Sequence, residues 1–210
     1  QVDNNKLFNN PEINVSAIAP DAGKPNTTFY PVTVLDVDTT YYWRVRANDS
    51  GGFGTWSNGE ILNLSNFTID SLLQITFTTD LVEFGEQSGG AILNTTDGVP
   101  RPFRAENTGN IFFNVSVNAS QLFTSLGLNR SAYQYQFREN ESGSFNTTLS
   151  TIVWRNMSKN LHGITDAAEV NWRDVNDDFL MDLNLTVPDE EPPGGKSSII
   201  TFTVTGSSIS

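Results

Sequence analysis

The stretch Asn110-Ile-Phe-Phe-Asn-Val-Ser-Val-Asn-Ala-Ser120 decides the fold class. Ile111, Phe113, Val115, Val117 and Ala119 share one parity, and Asn114, Ser116 and Asn118 share the other. Strict alternation marks a strand with one face in a core and the other in water, because successive side chains leave a strand on opposite sides. Asp182-Leu-Asn-Leu-Thr-Val187 repeats the pattern, with Leu183, Leu185 and Val187 inward and Asn184 and Thr186 outward.

Short alternating segments recur on both sides: Ile13 to Ala19, Thr28 to Leu35, Thr40 to Ala47, Glu60 to Leu64, Leu73 to Thr79, Val82 to Glu86, Arg101 to Glu106, Tyr133 to Arg138, Thr151 to Arg155, Glu169 to Trp172 and Ser198 to Thr205. Single helical turns are expected only at Leu122 to Leu128 and His162 to Ala168. Many short strands separated by turn signals predict an all-β chain of two tandem β-sandwich modules, residues 1–70 and 71–210. The junction Asn66-Phe-Thr-Ile-Asp-Ser-Leu-Leu73 holds neither Pro nor Gly, so a stiff connection is expected.

Composition agrees, and it excludes chemistries. The 23 Asn, 22 Thr and 19 Ser favour strands and turns, and they carry the polarity that 17% charged residues do not. Without cysteine there is no disulfide, thiolate zinc site or cysteine nucleophile, and a serine triad would have to run through the single His162. A net charge of −12 disfavours nucleic acid and anionic membrane as partners, and no apolar run is long enough to span a bilayer. The leading Gln is no initiator, so a removed signal segment or a fragment is expected.

The strongest functional signal is the N-glycosylation acceptor pattern Asn-X-Ser/Thr. It occurs thirteen times, at Asn14, Asn26, Asn48, Asn63, Asn66, Asn94, Asn114, Asn118, Asn129, Asn140, Asn146, Asn156 and Asn184. Chance in this composition gives roughly 4 to 5 matches. Asn114, Asn118 and Asn184 also fall on the outward parity of their strands. N-linked glycans imply an extracellular or cell-surface location, where small modules commonly use disulfides; dense acceptor sites without cysteine point to an archaeal envelope.

The most specific motif is Leu35-Asp-Val-Asp-Thr-Thr-Tyr-Tyr-Trp-Arg-Val-Arg-Ala47 with Gly54-Thr-Trp-Ser57. It resembles the penultimate strand and last-strand entry of a fibronectin type III domain, which implies that Tyr41 makes a corner hydrogen bond. Parity places Trp43 in the core with Tyr41, and the motif position accounts for Trp56. The motif begins too early for a whole domain of this family, so the first strands are cut off, absent from a shortened variant, or supplied by another chain. Residues 71–210, with the Asn107-Thr-Gly-Asn110 corner and the Pro188 to Lys196 turn, look like sandwich modules of archaeal cell-surface and extracellular-filament glycoproteins. That corner is expected to be a tight turn, since Gly109 and its Asn neighbours tolerate positive φ.

Other chemistry is weakly signalled. Asp174, Asn176 and Asp178 offer oxygen ligands for calcium, but Phe179 stands where an EF-hand loop needs glycine, and a solvated hairpin turn is the simpler expectation. No catalytic, cofactor-binding or metal residues are assigned, and an enzyme is not expected. Trp43, Trp56, Trp154, Trp172, Tyr133 and Tyr135 are candidates for a sugar-stacking platform, although Ile152 and Trp154 alternate as core residues do. Phe112 is the aromatic expected on an outer face. The leading expectation is a structural glycoprotein that self-associates as the repeated subunit of a surface filament or surface layer, by strand complementation between chains. The alternative is a carbohydrate-binding or adhesion module of a larger secreted protein, with surface polysaccharide as partner.

Overall fold

A computed structural model describes residues 1–16, 35–57, 65–128, 130–159 and 165–207. The expected strand at Glu60 to Leu64, most of that at Thr28 to Leu35, His162, and the acceptor sites Asn26, Asn63 and Asn129 lie outside them. The described residues form no helix, and all strand pairs are antiparallel, so the class is all-β. The chain divides into two compact units, Gln1–Ser71 and Leu72–Ser210.

The first unit holds β1 (Val2–Asp3), β2 (Thr39–Trp43), β3 (Asn48–Asp49), β4 (Gly52–Phe53) and β5 (Ser65–Ile69). β2 lies between β1 and β5, while β3 and β4 make a separate hairpin. Tyr41 is buried and stacks on Phe67 with ring centroids 5.8 Å apart. Its hydroxyl accepts the Asp36 N–H at 2.8 Å, which ties the corner before β2 to the strand. Asp38, at φ 54, makes the bend, a conformation that Asp tolerates better than most residues. After β2, Ser57 N–H donates to Val45 O at 2.7 Å, and Val45 N–H donates to Ser57 Oγ at 3.1 Å.

The outward parity of this segment is a cation–aromatic ladder. The Arg44 guanidinium sits 4.1 Å from the Phe8 ring centroid and 4.2 Å from Trp56, and Arg46 sits 4.3 Å from Trp56 and 3.9 Å from Phe53. Stacking of this kind lets long side chains cover aromatic faces. Trp43, expected in the core, is 38% exposed. Parity sets its side, and β2 is paired at Trp43 on both edges, with Val2 and Ser65, so its exposure reflects what lies over that face rather than a missing neighbour strand.

The second unit is a sandwich. Its strands are β6 (Ile75–Thr79), β7 (Ile92–Asn94), β8 (Phe103–Asn107), β9 (Phe113–Ala119), β10 (Tyr133–Glu139), β11 (Arg155–Asn156), β12 (Ala167–Val170), β13 (Asp178–Thr186) and β14 (Ile200–Gly206). One sheet runs β11-β10-β13-β8-β6, with β7 also paired to β13; the other runs β12-β9-β14. Phe113, Val115, Val117 and Ala119 of β9 pack in one core cluster with Tyr135 and Phe137 of β10 and Phe179, Met181, Leu183 and Leu185 of β13. Burial alternates along β9 as its sequence predicts. Phe202 of β14 closes one side, 4.8 Å from Phe77 and 5.9 Å from Phe103 between ring centroids.

A buried carboxylate joins the two sheets. Asp166 is 2% exposed and accepts three bonds: Tyr135 Oη–H at 2.7 Å, Val117 N–H at 2.7 Å and Arg155 Nη1–H at 3.0 Å. A buried charge is tolerable only when its lone pairs are satisfied in this way. Burial and the adjacent Asp166 push the Tyr135 hydroxyl pKa up.

Several expected elements differ. Val82 to Glu86 is no strand, although Val82 and Phe84 still pack on the core. Ile13 makes a single bridge to Val2, and Leu122 to Leu128 is a series of bends. Thr151 to Trp154 is also irregular: Thr151 bridges Phe137 and Asp166 through its backbone, then the chain leaves the sheet, so Ile152 is 49% exposed and Trp154 half-buried. Gly109 does not adopt positive φ. A Cβ there would lie 2.2 Å from Leu72 O and 3.0 Å from Gln74 N, so close backbone approach requires the glycine. Buried Asn107 organises the same corner, donating Nδ2–H to Ile111 O and Val170 O and accepting the Gly109 N–H.

Candidate glycan-acceptor surface

Ten of the thirteen acceptor asparagines are described, and none is buried. Asn14, Asn48, Asn66, Asn94 and Asn140 are exposed, and Asn114, Asn118, Asn146, Asn156 and Asn184 are half-buried. The outward parity read from β9 and β13 places Asn114, Asn118 and Asn184 on outer sheet faces opposite the core residues. Across β14, Asn114 and Asn118 pair with Thr205 and Thr201, which gives the β9–β14 part of the small sheet a polar, uncharged outer face.

The outer face of the large sheet is more structured. Leu180 on β13 pairs with Arg104 of β8 on one side and Arg138 of β10 on the other. The two arginines reach in opposite directions along β13. Arg104 Nε–H donates to Asp178 Oδ2 at 2.6 Å, and Arg138 Nε–H donates to Asp182 Oδ2 at 3.0 Å. Thr95 Oγ1–H adds a bond to Asp182 Oδ1 at 3.0 Å. The arginine stems cover Leu180, and both carboxylates are buried beneath half-exposed guanidinium groups. Four residues beyond Leu180 along β13, Asn184 stands between Gln134 of β10 and Asn94 of β7.

The amide nitrogen, where a glycan attaches, is used differently from site to site. Asn118 Nδ2 donates to Lys159 O at 3.1 Å, Asn140 Nδ2 to Asp178 Oδ2 at 2.9 Å, Asn146 Nδ2 to Glu169 Oε2 at 2.9 Å and Asn184 Nδ2 to Gln134 Oε1 at 3.1 Å. Asn94 and Asn114 instead engage the oxygen: Asn94 Oδ1 accepts the Thr96 N–H at 3.0 Å, and Asn114 Oδ1 accepts the Glu169 N–H at 2.9 Å.

The other candidates separate. Asp174 is exposed, Asn176 Nδ2 donates to Ser142 O, and Asp178 Oδ2 is taken by Arg104 and Asn140. Among the described residues no three His, Asp or Glu side chains converge to hold a metal ion. Tyr133 and Tyr135, offered for a sugar-stacking platform, are core residues because β10 turns that parity inward; burial pushes the Tyr133 pKa up to about 12. Phe112 is half-buried rather than exposed, next to Phe113 at the start of β9. Among the described residues no helix is long and apolar enough to cross a membrane.

Sequence reasoning missed a carboxylate clamp. Glu191 accepts the N–H groups of Thr124 and Ser125, both at 2.9 Å, together with their hydroxyls and the Lys196 ammonium at 2.6 Å. Desolvation pushes this carboxyl up, but the Lys196 ammonium, the Ser125 hydroxyl and the two N–H groups outweigh it and hold the pKa well below the usual carboxylate range. The only local signal was a charged pair within a Pro/Gly turn.

The sheet edges differ as well. β11 is two residues long, and β6 and β12 carry register shifts, at Phe77/Thr79 and Ala167/Val170. Short and bulged edges resist pairing with another chain. β14 keeps unbroken register with β9 over seven residues, and its sequence Ile-Thr-Phe-Thr-Val-Thr-Gly has no charge and no proline. No protein-family model matches the chain, and no curated protein sequence matches it.

Proposed function

We propose that this chain is a structural glycoprotein of the cell exterior, a repeated subunit of an archaeal surface filament or surface layer whose neighbouring copies meet through sheet edges. The observation that carries the reading is the placement of seven described acceptor asparagines on outer faces, loops and rims of the second unit's sandwich, whose inner faces are apolar, with the three described in the first unit exposed. Chance sequons in an Asn-rich chain have no reason to avoid the core beyond the ordinary polarity of Asn, but their number exceeds chance about threefold. The fibronectin-like character of the first unit, with its Tyr41 corner and Ser57 return onto Val45, fits a modular surface protein.

The edge of β14 supports the assembly part. A regular, uncharged, β-branched edge is a template for another strand, and soluble monomers commonly blunt such edges. Imaging of the native assembly tests this together with Thr203→Lys, which sets a charge on the outer side of β14. The variant is expected to remain folded and to stop assembling. A wild-type protein that stays monodisperse and monomeric under native conditions contradicts the filament reading, and unimpaired assembly of Thr203→Lys contradicts the β14 route.

A further inference from the structure

The register of the large sheet sets four amide side chains in one cross-strand row. Asn94 of β7 opposes Asn184 of β13, Asn184 opposes Gln134 of β10, and Gln134 opposes Asn156 of β11. Three of the four are glycan acceptors in the Asn-X-Ser/Thr pattern. Directly opposed side chains on one face lie about 4.5–5.5 Å apart at Cβ, a gap no wider than one sugar ring. A glycan on Asn94 therefore covers Asn184, and the reverse is equally true.

The two sites differ in what their nitrogens and backbones are doing. Asn184 Nδ2 donates to Gln134 Oε1 at 3.1 Å, and Gln134 Nε2 donates onward to Asn156 Oδ1 at 3.0 Å, so the row is an amide ladder across β13, β10 and β11. Asn184 also sits within a strand paired on both edges, between buried Leu183 and Leu185. The peptide around it cannot bend into a transferase site without parting the sheet. Asn94 is the last residue of β7 and is exposed. The chain turns directly after it, with Gly98 N–H donating to Thr95 O at 2.9 Å. Asn94 Oδ1 accepts both the N–H and the hydroxyl of Thr96, the threonine of its own acceptor pattern. That turn commits the oxygen of the amide to the peptide and leaves the nitrogen on the solvent side.

N-glycosylation joins Nδ2 to the anomeric carbon of an activated glycosyl phosphate. The bond from that carbon to the phosphate oxygen breaks, the phosphate departs with the electron pair, and one Nδ2 proton is lost to solvent. We infer that, of the opposed pair, Asn94 carries the glycan and Asn184 stays bare as a rung of the amide ladder. The inference rests on the glycoprotein reading and narrows it to a choice between two neighbouring sites.

Site-resolved glycopeptide mass spectrometry on the protein from its native source tests the choice. The peptide holding Asn94 is expected to carry sugar, and the peptide holding Asn184 to have its bare mass. Asn94→Gln and, separately, Thr96→Val are each expected to lower the intact mass by one glycan without moving that glycan to Asn184. Sugar on Asn184 in the wild type, or its appearance there in either variant, overturns the inference, as does a bare Asn94 beside other occupied sites. If every acceptor peptide is bare, the glycoprotein reading itself fails.

Discussion

Replacing Asp166 with Asn keeps the shape of the side chain and removes the charge at the centre of the sandwich. In the native protein both carboxylate oxygens are acceptors: Oδ1 for Tyr135 and Arg155, Oδ2 for Val117 N–H. An asparagine can keep its oxygen toward only one side. If that side is Tyr135 and Arg155, its NH₂ faces the Val117 N–H, donor against donor, and a buried N–H left without an acceptor costs about 1–3 kcal/mol. The ion pair with Arg155 is lost as well, although Arg155 is partly exposed and recovers some hydration. The expected total is about 3–5 kcal/mol, in the range for breaking a buried charge pair, and a large share of the ~5–15 kcal/mol that holds a typical domain together. Urea denaturation reads the total, and amide hydrogen exchange at Val117 reads the local part. Tyr135→Phe removes one donor and leaves the carboxylate two others, so it should cost less, about 1.5–3 kcal/mol, the range for one hydrogen bond to a charged group. A loss below about 1 kcal/mol for Asp166→Asn, with Val117 exchange unchanged, would refute the assignment of this network as the tie between the sheets.

Three further outcomes follow from the same geometry. Gly109→Ala places a methyl group against the Leu72 carbonyl and should destabilise the second unit by about 1–3 kcal/mol in thermal or urea unfolding, whereas a neutral effect would mean the corner relaxes freely. The Asp177 carboxyl is raised to about 6 by desolvation first and then by Glu141, Glu106 and Asp174. A raised acid holds its proton in the folded state after the unfolded chain has lost it, so its contribution is greatest below about pH 4 and disappears as pH rises to about 6. Asp177→Asn should therefore stabilise the protein at pH 7, by about 1 kcal/mol once solvent screening is allowed for, and flatten that segment of the stability profile. Glu191 has the opposite sign: its depressed pKa gives stability that is present above its ordinary value of 4.5 and is lost as pH falls below it. Glu191→Gln should weaken the protein at pH 7 and remove the acid-side loss, and an unchanged acid limb would contradict the clamp.

The strands whose alternation is long were legible, and the reason is physical. Phe113 to Ala119 and Leu183 to Leu185 lie in strands paired on both edges between two layers, so parity and burial coincide. Trp43 and Ile152 have the same local alternation without the same surroundings. Parity determines which side a residue takes, whereas what packs over that face determines whether the side is covered. The acceptor sites could be read one at a time, because each pattern is local. Their row across β7, β13, β10 and β11 could not, since it depends on register between segments about 20 to 90 residues apart, and register is set by packing rather than by the strands' own residues. The pairing of Arg104 with Asp178 and of Arg138 with Asp182 was hidden for the same reason. Gly109 is legible as a corner residue, but the close approach that requires it is not, because the backbone that crowds it comes from Leu72 to Gln74.

The most direct test of the central claim is the intact mass of the protein recovered from its native source, before and after chemical removal of N-linked sugars. The account predicts a mass well above that of the bare polypeptide, distributed in steps of one glycan and collapsing to the polypeptide mass on deglycosylation. A single species at the bare polypeptide mass would contradict it.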